Sequence, residues 1–486
     1  MILSTSGKTA QRNTKIVATL GPASGNHLQI KSLIDSGVNV FRMNFSHGTH
    51  ESHLAMLEIV RHEADKAGKF IAVFQDLCGP KMRIGEVDDG AIQLVTGQVI
   101  HLRHFDGRIG SLNALYVEAF DPSHVMKPGE KALLADGRIE LIAERVLGDS
   151  VVCQVSAGGI LRSRSGISLP NSKLNLPCLT EKDLLDLTWG VKNNVDYVAL
   201  SFVGGAQDIR ELRRHISDLG GRCGVIAKVE RAQALDNILE ISETADAVMV
   251  ARGDLGLELP LEKVPAAQRL IISTCNQHGT PVITATQMLV SMVKEVRPTR
   301  AEASDVYSAV RDGTDCVMLS EETAIGDHPS LVVEVLDRIL VEAEKEIFGP
   351  CARTSTWGLE LITVADSVCY AAASAAGRLL AAAIVCCTYS GSSARMLAKY
   401  RPTQPLFAVS SQMDTLRRIA LYWGVKPVPL ESYQNTDREQ EIMSALVAVR
   451  DYCGIKPGSR IVVTTGRQAH QTGGTTLMEI REVPRL

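Results

Sequence analysis

Apolar, β-branched runs recur along the chain, and each ends in polar or charged residues. TKIVATLGP (Thr14–Pro22), VNVFRMNFS (Val38–Ser46), FIAVFQDL (Phe70–Leu77) and DYVALSF (Asp196–Phe202) are four of them. GVIAKVE (Gly224–Glu230), DAVMVARGDLG (Asp246–Gly256), PVITATQM (Pro281–Met288) and DCVMLSEE (Asp315–Glu322) are the others. Such runs read as strands buried on both faces. Most are separated by stretches with helical spacing, among them LQIKSLIDSG, EKDLLDLTWGVKNN and PAAQRLIISTCNQHG. Strand–helix units in this number predict a (β/α)8 TIM barrel, with its active site at the carboxyl ends of the strands. The units do not repeat in sequence, so the chain is no solenoid.

Those strand ends supply Thr19, Arg42, Asn44, Ser46, Asp76, Ser201, Lys228, Glu230, Asp254, Thr286, Ser320 and Glu322. Side chains alternate along a strand, so Lys228 and Glu230 point to the same side. Asp254 is expected to close the next strand. One cation and two carboxylates then stand at the ends of neighbouring strands, a set suited to a divalent metal and an anionic substrate together. A surface ion pair would need no apolar lead-in.

One gap breaks the rhythm. From about Ile84 to Ser172 the chain runs in short alternating segments with turns at VDDG, VTGQ, KPGE, ADGR, LGDS and SAGG. This predicts a small all-β, barrel-like domain inserted at 84–172, on the rim where a lid would exclude water. The barrel is then discontinuous, 13–83 and 173–346. The stretch FGPCARTSTWG suits a linker. A second α/β domain at 358–486 follows, with strands AAAIVCC, PLFAVS, VKPVPL and RIVVTTG.

Composition changes little. The net charge of −4 argues against non-specific nucleic-acid binding. No apolar run approaches a membrane span, and MILSTSGKTAQRN has no signal-peptide core. The 11 cysteines are scattered and include no C-x-x-C. Most lie in apolar runs (Cys153, Cys275, Cys316, Cys386), as for buried thiols in a reducing cytoplasm.

FRMNFSHG (Phe41–Gly48), AKVER (Ala227–Arg231), VARGDLGLELP (Val250–Pro260), ITATQML (Ile283–Leu289), PTRAEASDV (Pro298–Val306) and MLSEETAIG (Met318–Gly326) are long and ordered. On these strings the chain resembles the pyruvate kinase family over nearly its whole length. The resemblance implies transfer of a phosphoryl group from phosphoenolpyruvate to ADP, then protonation of the enolate to pyruvate, giving ATP. It implies Mg²⁺ (or Mn²⁺) on Glu230 and Asp254, with Lys228 neutralising the moving phosphoryl group and the enolate oxygen. Arg42 and Arg83 would hold phosphoryl oxygens, since a planar guanidinium suits that geometry. The substrate carboxylate would meet backbone N–H groups around Gly253 and Asp254, and Thr286, in a buried strand. Ser320 and Glu322 would serve as supporting or proton-relay residues, with the last proton coming from a side chain or a bound water. Asn44, His47, Arg83 and Arg164 would face the nucleotide. A homotetramer is implied by resemblance alone.

Two segments depart from the usual family pattern. Many members need K⁺ and read D-T-K-G-P-E after the third strand. Here Asp76-Leu77-Cys78-Gly79-Pro80-Lys81 replaces the acid with a lysine. The Lys81 ammonium is expected to stand where a monovalent ion would sit, beside Asn44, Ser46 and Asp76, so that K⁺ is not required. In SRSGISLPNSKLNLP (Ser163–Pro177), Ser165 replaces a basic residue and Ser168 an asparagine. Arg164, one residue earlier, is the expected substitute, and the nucleotide contacts of this segment stay open.

The loop Thr388-Tyr389-Ser390-Gly391-Ser392-Ser393 joins an apolar strand to the helix ARMLAKY. Hydroxyls and free N–H groups at a helix start make a phosphate site. In the family this loop takes an activating sugar phosphate or nucleotide monophosphate. A second loop, Gly466 to Thr476, has Arg467 as its one cation and is expected to close over the ligand. The competing readings are a Mg²⁺-dependent pyruvate-enolate aldolase or lyase on the same barrel, and a non-catalytic sensor.

Overall fold

In the computed structural model, residues 12–170, 172, 177–347, 363–430, 438–466 and 474–485 are described. Eight parallel strands close into a barrel: β1 (Lys15–Leu20), β2 (Val40–Asn44), β3 (Ala72–Asp76), β4 (Tyr197–Leu200), β5 (Gly224–Val229), β6 (Ala247–Ala251), β7 (Val282–Ala285) and β8 (Cys316–Leu319). Each expected run therefore forms its strand. Each strand pairs with its neighbours in chain order, and β1 meets β8 through Lys15 opposite Cys316. The long insertion leaves the ring intact, because β3 and β4 pair directly, Phe74 opposite Tyr197. Helices begin where the side chains cap them. Thr180 and Asp183 form a capping box that opens the helix Glu181–Lys192.

Eight strands between Ala91 and Ser168 make up the insertion. Six form one sheet, and Ala91–Leu94 pairs with Gly159–Arg162 in another. A single helical turn, Pro122–Val125, interrupts the β pattern. The insertion has its own apolar core, with Leu94, Ile100, Leu141 and Val155 fully buried.

The last part of the chain forms a five-stranded sheet of β9 (Ala383–Cys387), β10 (Leu406–Ser410), β11 (Val425–Pro429), β12 (Arg460–Gly466) and β13 (Thr475–Glu482), in the order β11-β10-β9-β12-β13. Four run parallel and β13 runs antiparallel at the edge. β13 has no counterpart in the apolar pattern, because an edge strand is buried on few positions and its sequence stays mixed.

This domain closes the floor of the barrel. Phe74, Tyr197 and Met249 of the barrel interior share one apolar cluster with Ile419, Leu421 and Tyr422. Polar ties surround it. Arg401 pairs with Asp315 at 2.6 Å. Asp196 accepts from Arg61 and from Arg417, each at 2.9 Å. Lys15 Nζ donates to the Val425 carbonyl at 2.8 Å. All lie at the amino ends of barrel strands, the opposite face from the polar carboxyl ends. No helix among the described residues is long and apolar enough to cross a membrane. The described cysteines are all free.

Candidate active site

The carboxyl ends of β2, β3 and β5 carry a ladder of alternating charge. Arg42 Nε donates to Asp76 Oδ2 at 2.7 Å. Asp76 Oδ1 lies 3.2 Å from Lys228 Nζ, and Lys228 Nζ lies 2.8 Å from Glu230 Oε1. Lys228 also donates to Ser201 Oγ at 2.7 Å, and Ser201 donates to the Leu77 carbonyl at 2.8 Å. Asp76, Lys228 and Glu230 are all buried. Register explains the convergence: Arg42 sits opposite Phe74 and Asn44 opposite Asp76, so the polar residues reach one level of the ring.

Burial opposes every charge in this ladder, and partners decide the outcome. Desolvation raises the Asp76 carboxyl, but Lys228 and Arg42 outweigh it and hold the group below the usual carboxylate range. Desolvation lowers Lys228, but Asp76 and Glu230 outweigh it and lift the ammonium above the ordinary lysine value. Glu230 goes the other way. Burial raises its carboxyl, the nearby Asp254 adds to the rise, and Lys228 only partly offsets both. Two carboxylates with insufficient compensating charge form a set that a hard divalent cation suits.

Asp254 does not close β6, contrary to the expectation from sequence. β6 stops at Ala251, and Asp254 lies in the first turn of the helix Arg252–Glu258. Glu230 likewise sits one residue beyond β5, where Oε2 accepts the Phe202 N–H at 2.7 Å. Phe202 has a left-handed backbone, φ 56°.

Thr286 also differs from expectation. It lies just past β7 rather than in a buried strand, and it is half-buried. Its backbone is left-handed, φ 69°, and so is that of Gln287, φ 54°. A β-branched residue in that region stores on the order of 1–3 kcal/mol of strain. Its hydroxyl donates to the Ala285 carbonyl at 2.6 Å and accepts the Gly253 N–H at 2.8 Å. The Gly253 N–H that was expected to be free for a substrate carboxylate is therefore engaged by Thr286. Arg252, which the sequence reading did not single out, donates to the Thr286 carbonyl at 2.6 Å and pairs with Asp305 at 2.7 Å.

Glu322 is a brace in this structure rather than a free relay. Its Oε1 accepts the Leu289 N–H at 3.1 Å and its Oε2 the Ser320 N–H at 2.6 Å. Ser320 Oγ is buried with no hydrogen-bond partner, and thus stands ready for one.

The loop after β2 is held from behind. Lys182 Nζ donates to the Phe45 carbonyl at 2.8 Å, the His53 ring meets the His47 carbonyl at 2.9 Å, and Phe45 stacks on His53 at 4.1 Å. Asn44 Oδ1 accepts the Ser46 N–H at 3.2 Å, while Ser46 and His47 are exposed. Arg83 is half-buried at the base of the insertion and donates to the Arg164 carbonyl at 2.8 Å. Arg164 is exposed and pairs with Glu86 at 3.3 Å. Lys81 is exposed and forms no ion pair among the described contacts, while Asp76 is shared by Arg42 and Lys228.

In the last domain, Thr388 Oγ1 accepts the Gly391 N–H at 3.0 Å and Ser390 Oγ donates to Ser392 Oγ at 3.2 Å. Ser393 is buried and bonded to Thr475. Gly391 has φ 89°, and a Cβ there would lie 2.9 Å from Ile419, so the turn needs glycine. Of the second loop, Arg467 and the residues to 473 lie outside the described residues.

Comparison with known proteins extends this picture. The family model for the pyruvate kinase barrel domain matches residues 11–333, and that for the pyruvate kinase alpha/beta domain matches residues 366–481. A pyruvate kinase of Geobacillus stearothermophilus is 40% identical over 97% of this chain and 81% of its own length. One of Dictyostelium discoideum is 39% identical over 97% of this chain and 94% of its own. The crystal structure of a pyruvate kinase from Cryptosporidium parvum superposes with a TM-score of 0.90 at 33% identity, covering 97% of this chain and 96% of the other.

Proposed function

The chain belongs to the pyruvate kinase family of phosphotransferases, and on that premise we propose that it moves the phosphoryl group of phosphoenolpyruvate to ADP through the ladder Arg42–Asp76–Lys228–Glu230. The observation that carries this reading is a buried ammonium held between two buried carboxylates at the mouth of the barrel. In the transfer, the bond from phosphorus to the enol oxygen breaks, and a bond to the β-phosphate of ADP forms. Negative charge spreads over the phosphoryl oxygens and then stays on the enolate. Catalysis of such a step is mainly positioning and electrostatic stabilisation.

Lys228 faces that charge, and its raised proton affinity keeps it cationic throughout. Arg42, anchored by Asp76, presents its remaining N–H groups to phosphoryl oxygens, and Arg83 meets them from the base of the lid. Glu230 and Asp254 are the residues to hold Mg²⁺ (or Mn²⁺), which supplies positive charge to the substrate oxygens. Their mutual repulsion supports this assignment. The substrate carboxylate meets the first-turn N–H groups at Gly253 and Asp254, where it shares or displaces the Thr286 hydroxyl. Thr286 then stands near the carbon that takes a proton, and the buried, unpartnered Ser320 hydroxyl is a further candidate for the proton supply. Asn44, His47 and Arg164 face the nucleotide.

Lys81 replaces a monovalent cation beside Asn44, Ser46 and Asp76. Its place in the loop after β3, its freedom from ion pairs among the described contacts, and the register pairing of Asn44 with Asp76 support this. A phosphorylated effector binds at Thr388, Ser390, Gly391, Ser392 and Ser393, supported by the tight glycine turn at the start of the helix Ser392–Lys399. The same reading takes 84–172 as a lid, 13–83 with 173–346 as the catalytic barrel and 358–486 as the effector domain, in a cytoplasmic homotetramer. The aldolase or lyase alternative has no support among the relatives named above. The test is an ATP assay with phosphoenolpyruvate, ADP and Mg²⁺. Pyruvate released only when ATP forms fits the reading, and pyruvate released without ADP contradicts it.

A further inference from the structure

We propose that Arg252 is the positioning residue that holds Thr286 in its left-handed conformation and thereby aims its hydroxyl at the reacting carbon. This rests on the proposed function and adds a residue to it. The Arg252 side chain is only 10% exposed, and its guanidinium is nearly fully engaged. Nε and Nη2 both donate to the Thr286 carbonyl, at 3.2 and 2.6 Å, and Nη2 also reaches the Gln287 carbonyl at 3.2 Å. Nη1 donates to both oxygens of Asp305, at 2.9 and 2.7 Å. Asp305 lies on the helix Arg300–Asp312. One planar fork therefore spans a helix and the loop after β7.

The loop needs such a fork. Thr286 and Gln287 are consecutive non-glycine residues with positive φ, a conformation that persists only where its surroundings over-determine it. Their carbonyls converge on the one guanidinium. On the other side, Gly253 is the residue next to Arg252, and its N–H fixes the Thr286 hydroxyl at 2.8 Å. The Thr286 backbone is thus held by the Arg252 side chain and its side chain by the neighbouring N–H. Released from the fork, the loop relaxes to negative φ and the hydroxyl swings away from the substrate carboxylate. Lysine cannot replace arginine here, because a point charge on a flexible stem lacks two parallel donors.

The test is a double-mutant cycle of Arg252→Lys with Thr286→Ala, reading kcat, KM for both substrates and the Mg²⁺ half-saturation. Displacing a catalytic group by about an ångström costs up to roughly 10²-fold. Arg252→Lys is expected to lower kcat by roughly 10–100-fold, with KM for ADP and the Mg²⁺ half-saturation within about threefold of wild type. In the Thr286→Ala background the same change is expected to cost less than about threefold, since its target is gone. Equal losses in both backgrounds, or a loss seen mainly in Mg²⁺ half-saturation, overturn the proposal, because Arg252 would then act through Asp254 or the fold. An unchanged kcat in Arg252→Lys, or in Thr286→Ala alone, overturns it as well. Asp305→Asn, which weakens the anchor of the fork without altering Arg252, repeats the cycle, and loss of cooperative melting in both variants makes Arg252 structural and ends the proposal. Failure of the wild type to make ATP is a different result and strikes the functional reading itself.

Discussion

The Lys228 ammonium and the Glu230 carboxylate meet at 2.8 Å, two residues apart on one strand end, and Glu230 keeps a raised proton affinity despite that contact. A paired glutamate normally loses proton affinity. Here burial and Asp254 prevail, so the Glu230 carboxyl stands where positive charge is in short supply. Glu230→Gln removes the charge and keeps the shape. The Mg²⁺ concentration for half-maximal activity is expected to rise at least tenfold, measured by metal titration at saturating substrates. An unchanged titration would take Glu230 out of the metal site.

Under the role proposed for Lys81 as a fixed charge, activity is expected to be alike in sodium, potassium and tetramethylammonium buffers of matched ionic strength. Lys81→Glu should make the rate depend on K⁺, or abolish it, since Leu77 and Cys78 remain in place. A large K⁺ stimulation of the wild type excludes this role for Lys81.

Lys15 ties the barrel floor to the last domain, and burial, followed by the charge of Arg12, lowers its pKa from 10.5 to about 7. The unfolded chain therefore binds a proton that the folded protein has released over that interval. Stability from this group rises with pH between about 7 and 10.5 and is flat below. Lys15→Met should flatten the pH slope of stability between these limits, by up to ~1.4 kcal/mol per pH unit for one proton. Denaturation at pH 7.5 and 9.5 checks it, and equal slopes in the two proteins would contradict it.

Much of the fold was legible because each barrel strand is buried on both faces and so reads as an unbroken apolar run. Lys228, Glu230 and Asp76 stood out as charges at the ends of such runs. The misreadings have the same origin. Asp254 follows an apolar run closely enough to look like its end, although the chain has already turned into a helix. Arg252 was not singled out from the sequence, since nothing local announces a guanidinium that reaches Asp305 far along the chain. The positive φ of Thr286 is invisible in a threonine, which ordinarily favours strands. The edge strand β13 carries too little buried surface to leave an apolar signature.

The loop from Thr388 to Ser393 predicts activation by a phosphorylated ligand, chiefly as a lower apparent KM for phosphoenolpyruvate. Ser393 is buried against Thr475, so a charge there would disturb the fold. Ser390 and Ser392 are the better targets. Their change to Asp should abolish activation and leave kcat at saturating substrate near normal. Saturation curves unmoved by glucose 6-phosphate, ribose 5-phosphate, AMP and fructose 1,6-bisphosphate would end the regulatory reading.

We propose that Lys228, held between Asp76 and Glu230, stabilises the phosphoryl group in transfer. The direct measurement is the rate of ATP formation by wild type and Lys228→Met at saturating phosphoenolpyruvate, ADP and Mg²⁺. The wild type should give ATP and pyruvate in equal amounts. Loss of one such stabiliser typically costs roughly 10²–10³ in kcat, and the variant should fall at least that far while substrate binding changes less. A variant that keeps more than about a tenth of the wild-type kcat, or a wild type that makes no ATP, contradicts this role of Lys228.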